Sequence, residues 1–134
     1  MSKIKIRVMV KVTQKEFEAV SFFSAEVSDL LEGAEDEEFI KSVEICQGHY
    51  NDFVGRLFAS KSKRIELFEH ELDSFRFLRH DAAGKVEGGA DEEYICDFDR
   101  HDKQLAKLRK KFDKAKSEAT VKWALALAKQ KGFG

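Results

Sequence analysis

Three observations predict a helix-dominated α+β fold for this chain of 134 residues. The first dozen residues alternate apolar with mostly cationic side chains, much of the remainder repeats apolar residues three and four apart, and there is no proline. Period two with β-branched residues on one side describes a half-buried strand, and a period near 3.6 describes an amphipathic helix. The predicted architecture is an amphipathic N-terminal strand in a small antiparallel sheet, several helices and a long C-terminal helix. A chain of this length fits a single domain, 1–134.

In chain order, Ile4, Ile6, Val8, Val10 and Val12 alternate with Lys3, Lys5, Arg7, Met9 and Lys11, which gives a strand with a cationic outer face. Thr13 followed by Glu16 forms a capping box, and Val12 and Phe17 are spaced for a hydrophobic staple, so the strand runs straight into a helix. That helix carries Phe17, Val20, Phe23, Val27, Leu30 and Leu31 on one arc and stops at Gly33. Phe22 lies off the arc, between Glu26 and Asp29, as either a second-layer or an exposed side chain. Residues 35–38 are acidic and precede Phe39, Ile40, Val43 and Cys46, which favours a further helix. From Tyr50 an apolar rhythm runs through Phe53, Leu57, Ile65, Phe68, Leu72 and Phe75, broken near Ser60-Lys61-Ser62; alternation at Phe75 and Phe77 suggests an extended end.

Residues 81–93 read as a glycine-containing acidic loop, and Tyr94–Phe98 as a short strand pairing with the first. The body is thus residues 1–98, followed by a basic helix over 99–131 that starts at an Asp99 cap. That helix spans about 50 Å, whereas a compact domain of this size is about 36 Å across. It must bend, project or pack along another helix. Its segment 121–128 is apolar nearly all round, so Trp123, Leu125 and Leu127 are the expected self-association contacts.

Net charge is −1, but it arises by cancellation between blocks: +3 over 1–23, −8 over 24–53, +2 over 54–80, −6 over 81–99 and +8 over 100–134. Such blocks act locally. Cys46 and Cys96 form no CxxC pair and read as buried free thiols in a reducing compartment. No signal-like or membrane-spanning apolar run is present, so a cytoplasmic protein with no membrane partner is expected.

Catalytic motifs fail at named positions. A phosphate loop ending at Gly84-Lys85 would need glycine where Arg79 stands and a hydroxyl where Val86 stands. A zinc-protease helix begun by His70-Glu71 would need histidine where Ser74 stands. No nucleophile elbow occurs, and Cys46 beside His49 sits on an apolar helix face. Phe77-Leu78-Arg79-His80-Asp81 and Phe98-Asp99-Arg100-His101-Asp102 share Phe-x-Arg-His-Asp, which could bring His80 and His101 together as a ligand or metal site. Two charged element ends explain the same pattern without a ligand.

Lys103, Lys107, Lys110 and Lys114 recur on one helical face for about 16 Å. They suit either a phosphate backbone or plain solvation. The expectation from sequence is therefore a non-enzymatic binding protein with no cofactor, no metal and no catalytic residues. It would be a small adaptor or inhibitor of another protein, of the viral or mobile-element accessory kind, homo-oligomeric through the C-terminal helix. Its partner surface would lie at Phe22, Glu26 and Asp29 and along the lysine stripe. The alternatives are a nucleic-acid-binding module using the basic helix, and a small ligand- or metal-binding protein using His80 and His101.

Overall fold

The computed structural model describes residues 6–132. Its elements in order are β1 (Met9–Lys11), α1 (Gln14–Ser24), α2 (Glu26–Leu31), α3 (Glu37–Ala59), β2 (Arg64–Glu66), α4 (Glu69–Glu87) and α5 (Glu92–Gln130). The predicted fold class is the observed one, a helical body with one two-stranded antiparallel sheet and a long final helix.

The N-terminal alternation has the expected consequence. Val8, Val10 and Val12 are buried, while Arg7 and Lys11 face outward. Ile4 and the lysines beside it lie outside the described residues. The strand's partner is not Tyr94–Phe98 but β2, in the register Met9↔Glu66, Val10↔Ile65, Lys11↔Arg64. Two further bonds extend the ladder, from the Val12 amide to the Lys63 carbonyl and from the Leu67 amide to the Val8 carbonyl, both 2.9 Å. Ile65 sits in a three–four rhythm with Phe68 and Leu72 that predicts helix, but it also alternates with Leu67. Their alternation, bounded by the turn at 60–63 where Lys63 takes φ 62°, makes them a strand instead.

The capping box that opens α1 is closed on both sides. Thr13 Oγ1 accepts the Glu16 amide at 3.2 Å, and Glu16 Oε1 accepts the Thr13 amide at 2.8 Å. The helix does not run unbroken to Leu31; it breaks at Ala25, and α2 ends before Gly33, which takes φ 72°. α3, capped by Asp36, joins the two apolar segments that sequence had separated at Tyr50.

Two more boundaries change. α4 continues through residues 81–87, and Phe75 and Phe77 are helical rather than extended. Leu78 and Ala82 are one turn apart and both fully buried, so the packed face carries the helix through a stretch that looked like loop. The connection shrinks to residues 88–91, where Asp91 accepts the Tyr94 amide at 2.8 Å and starts α5 eight residues before Asp99. Tyr94, Ile95 and Phe98 thus lie at helical spacing. At 39 residues α5 is about 58 Å long.

One apolar core is built from every element, with Phe23, Phe53, Phe75, Leu78, Leu108 and Phe112 at its centre. Each such side chain contributes about 1.5–3 kcal/mol by leaving water. Phe53 meets Phe75 edge-on at 5.4 Å, and Phe23 meets Phe98 at 5.6 Å. The packing crosses between halves: α1 lies chiefly against α5, and α4 chiefly against α3. Two glutamates, Glu16 and Glu71, are each only 1% exposed, one at the start of α1 and one at the start of α4. Lys111 of α5 neutralises the first and Arg56 of α3 the second. Of the cysteines, Cys46 is buried as expected but Cys96 is exposed, because α5 already runs through position 96 and turns it outward.

Candidate functional site

The lysine stripe is where the sequence placed it. Lys103, Lys107, Lys110 and Lys114 are all exposed on α5, and none makes an ion pair with a described residue. Lys111, one residue off the stripe, behaves differently. Its ammonium donates to Glu16 Oε1 at 2.8 Å and to the Lys11 carbonyl at 3.0 Å, so it belongs to the fold.

Beyond Lys114 the stripe opens into a groove of about 470 Å³ between the ribbon and α5. Six cations line it, Arg7, Lys11, Arg64, Lys111, Lys114 and Lys122, against one carboxylate, Glu118. Arg7 leans on Glu66 at 3.6 Å and Lys111 is held by Glu16. Lys11, Arg64, Lys114 and Lys122 have no ion pair among the described residues. Sequence reasoning missed this groove, because Arg64 reaches it only by pairing opposite Lys11 on the ribbon. A concave surface with several uncompensated cations concentrates anions. No aromatic side chain lines it, so it suits a phosphate backbone better than stacked bases.

The acidic candidates have a different fate. Glu26 is only 5% exposed; it accepts the Tyr94 hydroxyl at 2.9 Å and lies 2.5 Å from the Lys85 ammonium. Asp29 is exposed yet also holds Lys85, at 2.5 Å. Phe22 is half-buried, with the His101 ring stacked on it at 4.5 Å and Tyr94 at 5.6 Å. The three therefore serve internal contacts that close α2 and the end of α1 onto α4 and α5. Burial opposes the Lys85 charge, but hydrogen bonds to Asp29 and Glu26 outweigh it and raise its pKa. Burial and the neighbouring Glu26 raise that of Asp81, and the same two causes raise that of the Tyr94 hydroxyl.

The repeated Phe-x-Arg-His-Asp does come together, but not through its histidines. Arg79 of the first copy forks onto Asp102 of the second and lies over the Phe98 ring at 5.3 Å. His80 is exposed, whereas His101 is under Phe22 with its pKa lowered by burial and by Arg100. Among the described residues no group of three or more His, Cys, Asp or Glu side chains is arranged to hold a metal ion. A second pairing unseen in sequence is His49 Nδ1 with Ser74 Oγ at 2.6 Å, the His49 ring lying 4.6 Å from that of His70. No carboxylate hydrogen-bonds to His49 among the described residues, so the orienting third member of a hydrolytic triad is not in place.

At the far end of α5, Val121 and Leu125 are 55% and 66% exposed, with Trp123 and Leu127 half-buried. No helix of the described residues is long and apolar enough to cross a membrane. No protein-family model matches the chain, and neither a characterised protein nor a solved structure shows significant similarity to it.

Proposed function

We propose that the protein is a non-enzymatic, cytoplasmic binding protein that takes a nucleic-acid backbone along the basic face of α5. The observation carrying this reading is the continuity of the stripe Lys103, Lys107, Lys110 and Lys114 with a groove lined by six cations and one carboxylate. From Lys103 to Lys122 the path is about 28 Å long, enough to follow several successive phosphates. The acidic residues that would repel a polyanion are partly occupied internally, Glu26 and Asp29 by Lys85. Contacts of this kind are read as charge and shape rather than sequence.

The test is an anisotropy titration of labelled duplex and single-stranded DNA and RNA against salt. Replacing Lys103, Lys107, Lys110 and Lys114 by Gln should flatten the slope of log K against log salt by about 3–4 for a duplex. Absence of binding by the unaltered protein at low salt defeats the proposal.

A second reading, an adaptor or inhibitor that self-associates and contacts another protein, is favoured by the exposed apolar pair Val121 and Leu125. Light scattering coupled to size exclusion checks it: an oligomer that dissociates on Leu125→Glu supports it, and a strict monomer at all concentrations removes self-association.

A further inference from the structure

We infer that the chain is two copies of one strand–helix–helix unit, folded about a pseudo-twofold axis, and that only the second copy carries the nucleic-acid face. The one-sidedness rests on the function proposed above; the duplication does not.

The duplication is visible at an offset of 55 positions, which carries Val10 onto Ile65. At that offset Glu32-Gly33-Ala34-Glu35-Asp36-Glu37-Glu38-Phe39-Ile40 falls on Glu87-Gly88-Gly89-Ala90-Asp91-Glu92-Glu93-Tyr94-Ile95. The capping glutamates Glu16 and Glu71 correspond, as do the helix caps Asp36 and Asp91. The ribbon then obeys the symmetry. Val10 pairs with its own counterpart, and the flanking pairs Met9↔Glu66 and Lys11↔Arg64 exchange into one another. So do the bonds from Val12 to Lys63 and from Leu67 to Val8. A ladder that maps onto itself in this way is what a twofold axis through Val10 and Ile65 requires.

The crossed packing agrees. α1 on α5 exchanges with α4 on α3, and the Lys111–Glu16 ion pair exchanges with Arg56–Glu71. Each unit's first helix is neutralised and covered by the other unit's last helix, as in a dimer of intertwined subunits.

The two copies then serve as controls for one another. At the cation that holds a buried glutamate the charge is kept, Lys111 against Arg56. At the stripe it is not: Lys103, Lys107, Lys110 and Lys114 correspond to Gly48, Asp52, Gly55 and Ala59, all exposed on α3. On the ribbon, Arg7 and Lys11 correspond to Ser62 and Glu66. α3 ends at Ala59, the counterpart of Lys114, while α5 continues to Gln130 and walls the groove. The same fold is thus made once without those lysines, so the fold of the unit does not require them.

The experiment measures binding stoichiometry by titration calorimetry with a DNA duplex of about 10 base pairs, roughly 34 Å long. The unaltered protein should bind one duplex. A variant carrying Gly48→Lys, Asp52→Lys, Gly55→Lys and Ala59→Lys should bind two. The graft is sterically open, since a Cβ at Gly48 or Gly55 meets no atom within 4 Å, and circular dichroism checks that it folds. If the unaltered protein binds no duplex, the nucleic-acid reading fails. If it binds one and the folded graft still binds one, or if the unaltered protein already binds two, the one-sided duplication is overturned.

Discussion

Arg79 grips Asp102 with both prongs of its guanidinium, Nε lying 2.8 Å from Oδ1 and Nη2 3.1 Å from Oδ2. The pair ties α4 to α5 and joins the two copies of the repeated motif through an arginine and an aspartate, leaving His80 and His101 apart from it. Its hydrogen bonding to Asp102 raises the Arg79 pKa, so the charge persists at every accessible pH. Because both side chains are about one-third exposed, a double-mutant cycle with Arg79→Ala and Asp102→Ala should give a coupling of about 1 kcal/mol, falling with added salt. Urea unfolding of the four proteins measures it.

The two buried capping glutamates should respond unequally to loss of their cations. Arg56→Met strands Glu71 in the core and should cost about 3–5 kcal/mol. Lys111→Met strands Glu16, but Lys111 is more exposed, so water relieves more of the loss and the cost should be smaller. Denaturant midpoints of the two variants check the order.

Asp81 has its pKa raised, by burial first and then by Glu26. A raised folded-state value means that the fold binds this proton more tightly than the unfolded chain. Its contribution is therefore fully present below the ordinary aspartate value of 3.8 and is lost as pH rises through the folded value. Asp81→Asn should stabilise the protein at pH 7, and by progressively less as pH falls through the folded value toward 3.8. Thermal melts across that range provide the comparison.

His101 shows the opposite sign. Its lowered pKa keeps the ring neutral against Phe22, so its contribution is present above the ordinary value of 6.5 and is lost as pH falls through the folded value. His101→Phe retains a stacked ring and should flatten the loss of stability on acidification from pH 7 to pH 5. An unchanged slope would assign that loss to other groups.

The cysteines offer a direct check of the α5 boundary. Cys96, exposed on the helix, should react with a thiol reagent in the native protein, whereas Cys46 should react only on unfolding. Mass spectrometry after brief labelling reads both.

Much of the local structure was legible because it is decided within a few residues. The alternation at Val8, Val10 and Val12, the Thr13–Glu16 capping box and the exposed lysine stripe each follow from spacing alone. The errors share one cause. Tyr94–Phe98 and residues 81–87 are helical where the sequence predicts strand and loop, because a short apolar run or a small-residue stretch has no fixed state until a neighbour packs on it. The repeat at an offset of 55 lies in the sequence too, but its signal is spread over two long segments, whereas the Phe-x-Arg-His-Asp match is concentrated in five residues.

By itself the sequence determined the fold class, the strand's inward face and the charge laid along the last helix, since these depend on periodicity and on residue type. Tertiary structure alone decided which strand meets which, that Lys111 serves the core while its neighbours Lys110 and Lys114 face solvent, and that Glu26 and Phe22 turn inward. The reason is physical. A buried charge is tolerated only where a distant cation or hydrogen-bond donor arrives to meet it, and sequence spacing carries no record of that arrival.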